Sequence, residues 1–401
     1  MKQRHIVIFF IISLLQYIAA NFAHPITPTL IHDLSLPGYM FGAAFAAMSF
    51  TNFLFSPFWG KMKEFISLKL LIALGCIGYG FGQYLFSIST TEIDIIVARC
   101  IAGFFVGSIG VNSLIYITES SGREYAGKNL AAFVIIQALG AAGGYLLGGI
   151  IGIYSIRATF SAQTLTLFLC GFLYFMFTDE SKIRKNTSAA LSKREFIREI
   201  NPLKTFADCR VFMTPYLAIL FGVVVVSGIG SNAFDQSFNY FLKAEFALTP
   251  IYNGILKAVT GILTLLFVSG ISMKIMKKNN INHATARIFF ACAFSIVALF
   301  FIRDRVLFLI TALVFFSFNA VYTPLLQDMI ARSANDHNGN MLMGFYNATR
   351  SLGMICGALI SGFMYDFGAM LPFVLAAACF VLSGVGAFSL GKKIPQSSKD
   401  E

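Results

Sequence analysis

The chain has 401 residues, of which 57% are hydrophobic and 12% are charged, and its formal net charge is +11. A water-soluble protein of this length could not bury that much apolar surface, so the composition excludes a soluble globular protein and indicates a lipid environment. The mean hydropathy of +0.74 agrees with this interpretation.

Twelve apolar runs are long enough for helices that cross the ~30 Å hydrocarbon core of a bilayer. They cover roughly 6–28, 39–59, 69–88, 94–117, 128–151, 158–178, 211–240, 250–273, 284–302, 305–326, 342–364 and 371–390. The seventh run is a candidate for a broken helix. The pattern predicts an all-α integral membrane protein with an N-terminal six-helix bundle over 1–178 and a C-terminal bundle over 211–391. A cytoplasmic central loop over 179–210 and a cytoplasmic tail over 392–401 complete the predicted organisation.

The first run ends with the segment Asn21-Phe22-Ala23-His24-Pro25-Ile26-Thr27-Pro28. Its two prolines interrupt the backbone hydrogen bonds of a helix, which membrane depth tolerates only against protein or a water-filled cavity. One interpretation is a simple helix end at the outer surface. The other is that the polar side chains of this run face a cavity, because they are costly towards lipid. These side chains are Gln16, Tyr17, Asn21 and His24.

The loop after the second run reads Gly60-Lys61-Met62-Lys63-Glu64-Phe65-Ile66-Ser67-Leu68-Lys69. Glycine allows a tight turn, and the acid and the final base can pair near the helix ends. In the fourth run, Arg99 lies one turn before Gly103, with Asp94 about one turn on the other side. Arg99 either reaches the outer interface or is a buried charge that acts on a nearby acid or anion.

The fifth run carries the glycine pattern Gly140-x3-Gly144-Tyr145-x2-Gly148-Gly149, which lets another helix backbone approach closely. Part of it recurs later in the chain: Gly140, Gly144 and Gly149 return as Gly353, Gly357 and Gly362. Pro37-Gly38-Tyr39 returns as Pro250-Ile251-Tyr252 at the same spacing, 252 − 39 = 213. Two related halves in parallel predict a transporter with its substrate site between them.

Carboxylates lie towards the ends of the predicted spans rather than near their centres. Asp235 and Lys257 lie at similar depths on successive spans, so they form either a static ion pair or a proton-coupling pair. Neutral polar side chains at positions compatible with a cavity are further substrate candidates. These are Asn112, Gln137, Asn232, Asn239, Asn319, Tyr322 and Asn347. Lys257 and Arg350 lie well inside spans, which leaves an anionic substrate open.

Basic residues are concentrated in the loops on one side of the predicted membrane. They include Lys61, Lys63, Lys69, Lys182, Arg184, Lys185, Lys193, Arg194, Arg198, Lys204, Lys274, Lys277, Lys278, Lys392 and Lys393. The opposite loops hold Arg157, Lys243, Arg303 and Arg305. Because cytoplasmic loops are rich in Lys and Arg, this asymmetry predicts that both termini and the central loop are cytoplasmic. The same asymmetry accounts for the net positive charge of the chain, so a nucleic-acid partner is not needed to explain it.

Together these features resemble the major facilitator superfamily, and within it the twelve-span drug:proton antiporters of the multidrug and tetracycline efflux type. The segment Gly60…Glu64…Lys69 is similar to the loop between spans two and three of that superfamily, with Glu64 in place of its usual aspartate. Phe65 and Ser67 depart from the loop pattern. Glu119 matches the acidic partner onto which this loop commonly locks.

Three further motifs carry the resemblance. Arg99 and Gly103 match the span-four motif that the family links to proton transfer. The segment 25–28 is similar to the span-one motif of the twelve-span drug exporters. The span-five glycines match the glycine motif of the exporters, except that Tyr145 occupies its proline position.

The resemblance implies two bundles related by pseudo-two-fold symmetry that open a central cavity to either side in turn. Contacts of Gly60, Glu64, Lys69 and Glu119 would stabilise the outward-open state, and Arg99, Asp94, Asp235 and Lys257 are the proton-coupling candidates. We therefore expect a monomeric, proton-coupled exporter of small amphipathic compounds or drugs in a bacterial cell membrane, with lipid as its solvent. A carrier of a sugar, nucleoside or organic anion is the alternative, and a non-transporting receptor a more distant one.

An enzyme is not expected, because the five histidines are dispersed and no Gly-x4-Gly-Lys-Ser/Thr phosphate loop is present. We expect no cofactor. The seven cysteines have no metal-ligand spacing, so no metal site is expected either.

Overall fold

The computed structural model describes residues 4–180, 200–201, 213–276, 281–333 and 339–391. Most of the predicted central loop over 179–210 and the whole predicted tail over 392–401 lie outside these residues. The described residues are mainly helical and contain no strand. The prediction of an all-α fold is therefore confirmed.

The helices follow one another with short connections over most of the described chain. In chain order they are α1 (Arg4–Ala20), α2 (Thr27–Asp33), α3 (Met40–Met62), α4 (Leu68–Ile88), α5 (Glu92–Tyr154), α6 (Ile156–Phe177), α7 (Pro215–Ala244), α8 (Pro250–Phe267), a π-helical segment (Val268–Ser272), α9 (Met273–Met276), α10 (Ile281–Leu299), α11 (Arg305–Arg332), α12 (Gly339–Phe367) and α13 (Leu371–Gly391).

Ten helical segments of the described residues are long and apolar enough to cross a membrane. An apolar helix at His5–Ala20 is shorter than these ten, and α12 is a long helix outside that set. The structure thus supports a multi-span membrane protein, and the count of twelve spans stays a prediction.

Helical backbone runs continuously over Glu92–Tyr154, yet this stretch contains two membrane segments, Glu92–Ser121 and Lys128–Tyr154. The ring of Phe9 lies 4.5 Å from that of Tyr116 and 6.4 Å from that of Phe133, measured between ring centroids. A straight helix would separate the last two residues by roughly 25 Å along its axis. The chain must therefore reverse between them, as the separate fourth and fifth runs predict.

The first span is interrupted, as its two prolines predict. Helix α1 ends at Ala20, and α2 begins only at Thr27. The carbonyl oxygen of Ala20 accepts hydrogen bonds from the Tyr79 hydroxyl at 3.0 Å and from Gln163 Nε2 at 3.1 Å. Side chains of α4 and α6 thus satisfy a backbone group that the break releases, which fixes the position of the interruption.

The seventh run is not broken, because α7 is continuous over Pro215–Ala244. The candidate break in that run is therefore wrong. The irregularity lies in the next span instead, where Val268–Ser272 is π-helical. The Ser272 hydroxyl donates to the Val321 carbonyl at 3.3 Å, which ties this segment to α11.

The chain divides into two compact units. Unit 1 comprises Met1–Lys204 together with Leu242–Gly261, and unit 2 comprises Thr205–Phe241 together with Ile262–Glu401. Unit 1 thus holds α1 to α6 with the end of α7 and the first part of α8. The predicted bundle boundaries at 178 and 211 stay predictions.

Equivalent helix contacts recur in the two units at the spacing of the sequence repeat. In unit 1 a Cβ added to Gly171 would lie 2.9 Å from Ile77 Cγ1. In unit 2 a Cβ added to Gly384 would lie 2.9 Å from Phe290 Cε1. Both partners of the second contact lie 213 positions after those of the first. The α4–α6 packing of unit 1 is therefore repeated by α10 and α13 of unit 2, which supports an internal duplication.

Candidate functional site

A set of partly exposed polar side chains lies in unit 1, in two groups: Tyr17 contacts Asn21 and Gln137, and Tyr145 contacts His24 and Lys257. We call it the polar strip; its members are Tyr17, Asn21, His24, Gln137, Tyr145 and Lys257. The first three recur every three or four residues along α1 and the turn after it, so they share one face. The side chains of Gln137 and Tyr145 come from the second half of α5, and Lys257 comes from α8.

Hydrogen bonds hold the α1 end of the polar strip. The Tyr17 hydroxyl accepts a hydrogen bond from Gln137 Nε2 at 2.5 Å, although 120 positions separate the two residues. Asn21 Nδ2 donates to the Tyr17 carbonyl at 2.7 Å. The structure therefore joins Gln137 of the fifth run to Tyr17 and Asn21 of the first run, a relation that the sequence analysis did not predict.

Aromatic and cationic groups form the other end of the polar strip. The His24 and Tyr145 rings are stacked, with centroids 5.2 Å apart and an interplanar angle of 10°. Lys257 Nζ lies over the Tyr145 ring, 5.8 Å from its centroid. Sequence reasoning named Tyr145 only as a departure from a glycine motif and so missed it as a site residue. Its position in the fifth run, one residue after Gly144, could have indicated that its ring lies beside the first span.

Glycines of α5 explain why α1 lies so close to this helix. A Cβ on Gly144 would meet the Ile18 carbonyl oxygen at 2.3 Å, and one on Gly148 would meet the Phe22 carbonyl oxygen at 2.3 Å. Any larger residue would push the two backbones apart. A Cβ on Gly140 would lie 2.5 Å from Tyr17 Cβ. These three glycines thus lie where α5 approaches α1 closely, and their role as a helix-packing motif stays a prediction.

Two glycines face each other between α5 and α8. A Cβ on Gly149 would lie 2.9 Å from the Pro250 carbonyl oxygen and 3.4 Å from Gly254 Cα. A Cβ on Gly254 would lie 2.5 Å from the Tyr145 carbonyl oxygen. This close approach brings Lys257, one turn further along α8, to the Tyr145 ring.

The same type of contact appears in unit 2. A Cβ on Gly357 would meet the Ile229 carbonyl oxygen at 2.4 Å, and one on Gly353 would lie 3.3 Å from Gly228 Cα. Gly362 lies on the same helix. The glycines of α12 thus pack against α7 as those of α5 pack against α1.

Arg99 is buried in unit 1, with 5% of its surface exposed. Its Nη2 donates to Thr27 Oγ1 at 3.1 Å, its Nη1 contacts Met48 Sδ at 3.7 Å, and its Cζ lies 3.9 Å from the centroid of the Phe86 ring. Its Nε has no hydrogen-bond partner among the described residues. Of the two interpretations left open by the sequence, the structure favours the buried charge.

Asp94, the predicted neighbour of Arg99, has a local structural role. Its Oδ2 accepts hydrogen bonds from the backbone N–H groups of Thr90 at 3.3 Å and Thr91 at 3.0 Å, and its own N–H donates to Thr91 Oγ1. This capping box begins α5. The cap explains why an aspartate stands here; a role in proton coupling stays a prediction.

The loop candidates do not all contact one another. Glu119 pairs with Lys63, with 2.5 Å between Oε1 and Nζ, whereas Glu64 pairs with Lys61 at 2.7 Å. The backbone N–H of Lys69 donates to Glu180 Oε1 at 2.6 Å. The loop thus reaches span four through Lys63, a residue that the sequence motif did not single out.

Gly60 lies near span four as well. A Cβ added there would come within 3.3 Å of Val111 Cγ1. A small residue at this position therefore keeps the end of α3 close to α5, which the Lys63–Glu119 contact also needs. The combined role of these residues as a conformational lock stays a prediction.

The remaining candidates are divided between the units. In unit 1, Gln16 and Asn112 are 1% and 0% exposed, so both lie inside the helix packing rather than on the polar strip. In unit 2, Asn232, Asn239 and Tyr322 are buried, Asn319 is half-buried and Asn347 is exposed. Asp235 belongs to unit 2 and Lys257 to unit 1. The predicted pairing of these last two residues stays a prediction.

Unit 2 has its own polar cluster beside an aromatic core. The Tyr322 side chain is hydrogen-bonded to Ser231, and Arg350 lies near both Tyr322 and Tyr346. The neighbouring core is a set of packed phenylalanine rings. It includes Phe234, Phe238, Phe308, Phe315, Phe316, Phe373 and Phe380.

Comparison with known proteins places the chain among membrane carriers. A family model described as Major Facilitator Superfamily matches residues 9–334. The chain is similar to the quinolone resistance protein NorA of Staphylococcus aureus (strain MSSA476), with 24% identity over 380 residues, 94% of this chain and 93% of that protein. It is also similar to multidrug resistance protein 2 of Bacillus subtilis (strain 168), with 21% identity over 379 residues, 92% of this chain and 90% of that protein.

Solved structures show the same fold. A mutant of the nucleoside transporter NupG superposes with a TM-score of 0.80 at 15% identity, over 96% of this chain and 99% of that chain. The human organic anion transporter MFSD10 superposes with a TM-score of 0.67 at 16% identity, over 96% and 99%. At these identities the likeness concerns the fold alone.

Proposed function

Because the chain belongs to the Major Facilitator Superfamily and is a multi-span membrane transporter, we propose that it exports small amphipathic organic compounds, including drugs, by alternating access and in exchange for protons. The two relatives named as resistance proteins support efflux, because they match this chain over nearly its whole length. Transport, rather than catalysis, is therefore the activity to test. We place it in the cell membrane as a monomer with both termini cytoplasmic.

The observation that carries the proposal is the chemistry of the polar strip. Tyr17, Asn21 and Gln137 offer uncharged hydrogen-bonding groups, while His24 and Tyr145 offer stacked ring faces. Binding sites for small organic molecules combine apolar and aromatic surface with a few placed polar groups. An amphipathic compound with a ring system and few polar atoms satisfies both halves of this surface.

Proton coupling is assigned to Arg99 together with the Asp235 and Lys257 candidates. A guanidinium does not lose its proton under physiological conditions, so Arg99 supplies a permanent buried charge beside the turn after α1. A fixed charge alters the proton affinity of a nearby group, and the effect changes when the distance between them changes. This is how a conformational cycle and a proton become linked.

Alternating access is supported by the repeated helix contacts. Both units pack an early helix against a late one through glycines over backbone carbonyls, at Gly144 and Ile18 and at Gly357 and Ile229. Two related bodies of this kind are what a rocking carrier requires. The Lys63–Glu119 pair, together with Gly60, Glu64 and Lys69, is the proposed cytoplasmic lock.

Inverted membrane vesicles with an imposed pH gradient provide the test. Vesicles containing the protein should accumulate a fluorescent amphipathic dye, vesicles without it should not, and a protonophore should abolish accumulation. Accumulation that survives the protonophore would remove the proton from the proposal. No accumulation of any dye, with normal amounts of folded protein, would favour the receptor alternative.

Two conservative variants connect transport to the polar strip. Tyr17→Phe removes the hydroxyl that accepts from Gln137, so we expect the apparent KM for the dye to rise several-fold. Tyr116→Phe removes a buried hydroxyl that donates to the Asp179 carbonyl at 3.2 Å elsewhere in unit 1. It should leave the KM unchanged. Equal effects of the two variants would argue against substrate contact at the polar strip.

A carrier of organic anions is the second candidate. The observation in its favour is the position of Lys257 on the polar strip, over the ring of Tyr145. A basic residue at such a place is favourable for a negatively charged group of a substrate.

A further inference from the structure

A buried polar cluster surrounds the break of the first span inside unit 1. The Ala20 carbonyl, released where α1 ends, accepts hydrogen bonds from the Tyr79 hydroxyl at 3.0 Å and from Gln163 Nε2 at 3.1 Å. The Gln83 side chain is hydrogen-bonded to Tyr79. These three side chains are at most 2% exposed, so the cluster lies inside the helix packing and shares no residue with the polar strip.

Arg99 adjoins this cluster. Tyr79, Gln83 and Phe86 follow one another along α4 at intervals of four and three residues, so they share one face. At one end of that face Tyr79 meets the Ala20 carbonyl. At the other end the centroid of the Phe86 ring lies 3.9 Å from Arg99 Cζ. Gln83 therefore stands between the released carbonyl and the guanidinium.

Helix α6 packs along the same face of α4. Its Phe160 ring meets the Phe86 ring edge to face, with the centroids 5.3 Å apart. Gln163 lies three residues further along α6 and reaches the Ala20 carbonyl. The two glutamines are thus enclosed between an aromatic contact at one end and a shared backbone carbonyl at the other.

Three buried polar atoms of this cluster have no hydrogen-bond partner among the described residues. They are Gln83 Oε1, Gln163 Oε1 and Arg99 Nε. The two amide oxygens only accept hydrogen bonds, and the guanidinium N–H only donates one. Buried polar groups without partners are costly, and a membrane offers them no bulk water. Because one donor cannot match two acceptors, the cluster needs a further donor.

The fold does not require polar side chains at these positions. The residues 213 positions later in unit 2 are all 0% exposed, and none carries an amide, a phenol or a charge; Cys292, Ile296, Ala312 and Ala376 stand in place of Tyr79, Gln83, Arg99 and Gln163. The helix starts support this register, because the N-caps of α5 and α11, Thr91 and Asp304, are also 213 positions apart. The polar groups of unit 1 therefore need an explanation other than helix packing.

We propose that Gln83, Gln163 and Arg99 bind water inside unit 1, beside the break of the first span. Water fits because each molecule both donates and accepts, so it can bridge the two amide oxygens and the guanidinium N–H. Arg99 Nη2 also donates to Thr27 Oγ1, and Thr27 is partly exposed, so the hydrated cluster extends towards the surface of unit 1. The bound water keeps a permanent charge solvated within a membrane span. This site goes beyond the proposed export, because it exists in the resting protein whatever is transported.

Hydroxyl-radical footprinting with X-rays tests the proposal on the purified full-length protein in detergent. Radiolysis of a bound water molecule produces radicals in place, and these modify the nearest side chain even when it is buried. Tyr79 is the reporter. Tyr174 is its control, because it is 0% exposed in the same unit and its hydroxyl pairs with that of Ser13 at 2.8 Å. Tyr79 should be modified several-fold faster than Tyr174, and equally slow modification of both would overturn the proposal.

A radical scavenger dissolved in the buffer distinguishes bound water from bulk water. Tyr154 is 85% exposed, so the scavenger should strongly suppress its modification. Modification of Tyr79 should fall much less, because its radicals arise beside it. Equal suppression of the two tyrosines would show that the radicals reach Tyr79 from bulk solvent, which contradicts a bound water molecule.

Variants assign the water to the two glutamines. Gln83→Leu and Gln163→Leu remove the amide groups at similar volume, so each should slow the modification of Tyr79 several-fold. Thr164→Val is the matched control, because it removes a buried hydroxyl on α6 that already donates to the Gly80 carbonyl at 3.3 Å. It should leave the modification of Tyr79 unchanged. Each variant must elute as a single monodisperse species before it is compared.

Two results with these variants would contradict the assignment. One is an unchanged rate of Tyr79 modification in both glutamine variants, and the other is an effect of Thr164→Val as large as that of Gln163→Leu. The comparison of Tyr79 with Tyr174 needs no variant, so it decides the proposal even if a glutamine variant does not fold. Footprinting uses neither a gradient nor a substrate. Failure of dye accumulation in vesicles would therefore contradict export and leave the water site intact.

Discussion

Units 1 and 2 share a packing scheme but surround it with different chemistry. In both, a glycine of a late helix meets a carbonyl of an early helix, at 2.3 Å from Gly144 to Ile18 and at 2.4 Å from Gly357 to Ile229 when a Cβ is added. Both units contain packed aromatic rings, such as Phe9 with Phe133 in unit 1 and Phe234 with Phe315 in unit 2, and each has polar side chains beside them. The units differ in which positions carry the polar groups.

Two positions show the difference most clearly. Arg99 and Tyr145 of unit 1 correspond, 213 positions later, to Ala312 and Ala358 of unit 2, and both alanines are fully buried. A buried arginine is costly in a membrane, and the fold does not demand it at the equivalent place. Helix packing therefore accounts for the glycines, while Arg99 and Tyr145 are explained by a function of unit 1.

The glycine contacts should give the largest effects and test whether the packing is shared. Gly144→Ala and Gly357→Ala each place a methyl group within 2.5 Å of a backbone oxygen, so the helices must separate. We expect each to lose about 1–3 kcal/mol of stability, in line with overpacked cores. Thermal denaturation followed by size-exclusion chromatography measures this loss.

Two open glycines provide the control for these variants. A Cβ on Gly110 in unit 1 or Gly222 in unit 2 meets nothing within 4 Å. Gly110→Ala and Gly222→Ala should therefore be neutral, or stabilising by up to about 1 kcal/mol because alanine favours helix. If Gly357→Ala behaves like Gly222→Ala, the two units do not share this packing.

Arg99 should give the next largest effect, and on transport more than on folding. Arg99→Lys keeps the charge but loses the planar fork that reaches both Thr27 and Met48 and lies over Phe86. We expect transport of the dye in pH-gradient vesicles to fall about tenfold. Arg99→Leu should abolish gradient dependence while the protein remains folded.

A matched variant in unit 2 sharpens this contrast. Ala312→Ser adds one small polar atom at the equivalent buried position and should leave the pH dependence of transport unchanged. Full activity of Arg99→Leu under a gradient would show that the charge of unit 1 is dispensable. The asymmetry between the units would then have no functional meaning at this position.

The all-helical fold and the internal repeat follow from patterns that local physics controls, which explains why they could be predicted. The apolar runs, the proline break after Ala20 and the span-five glycines are each set by bilayer thickness, by proline geometry or by close backbone approach. The relation of Tyr17 to Gln137 could not be predicted, because nothing local links residues 120 positions apart. The loop motif likewise pointed to Glu64, whereas side-chain reach selects Lys63 as the partner of Glu119.

The Lys63–Glu119 pair should give a smaller effect and has a counterpart of different chemistry. In unit 2 the positions 213 residues later are Met276 and Arg332, and the Arg332 guanidinium donates to the Met276 carbonyl. Lys63→Gln should lower transport about two- to fivefold, since the pair is partly exposed. Exchanging the charges, with Lys63→Glu and Glu119→Lys together, should restore it.

The unit 2 contact should respond differently, because its acceptor is a backbone oxygen. Arg332→Lys should keep only part of the transport activity, because lysine replaces the guanidinium that donates to the Met276 carbonyl. No exchange of charges can restore the loss, since the acceptor is a backbone oxygen. Arg332 also pairs with Asp328 at 2.8 Å, so Asp328→Asn is the control for loss of that pair alone. If the folded double variant with Lys63→Glu and Glu119→Lys does not regain transport, geometry rather than charge determines the effect of this contact in unit 1 as well.

The smallest effect is expected at the ion pair between Asp33 and Lys243. Variants of this pair test which contacts hold the segment Leu242–Gly261 to the rest of unit 1. The two charged groups are 3.8 Å apart and Asp33 is half-exposed. Lys243→Gln should therefore change the equilibrium constant of unfolding and the transport rate by less than about twofold each. Gly254→Ala, by contrast, pushes a methyl group to 2.5 Å from the Tyr145 carbonyl oxygen and should be far more damaging. Thermal midpoints at low and high salt distinguish the two mechanisms, because salt screens the pair and leaves the helix contact unchanged. If Lys243→Gln proves the more damaging variant, charge rather than close helix packing joins this segment to unit 1. Close packing through glycines would then stabilise only the contacts with α1 in unit 1 and with α7 in unit 2.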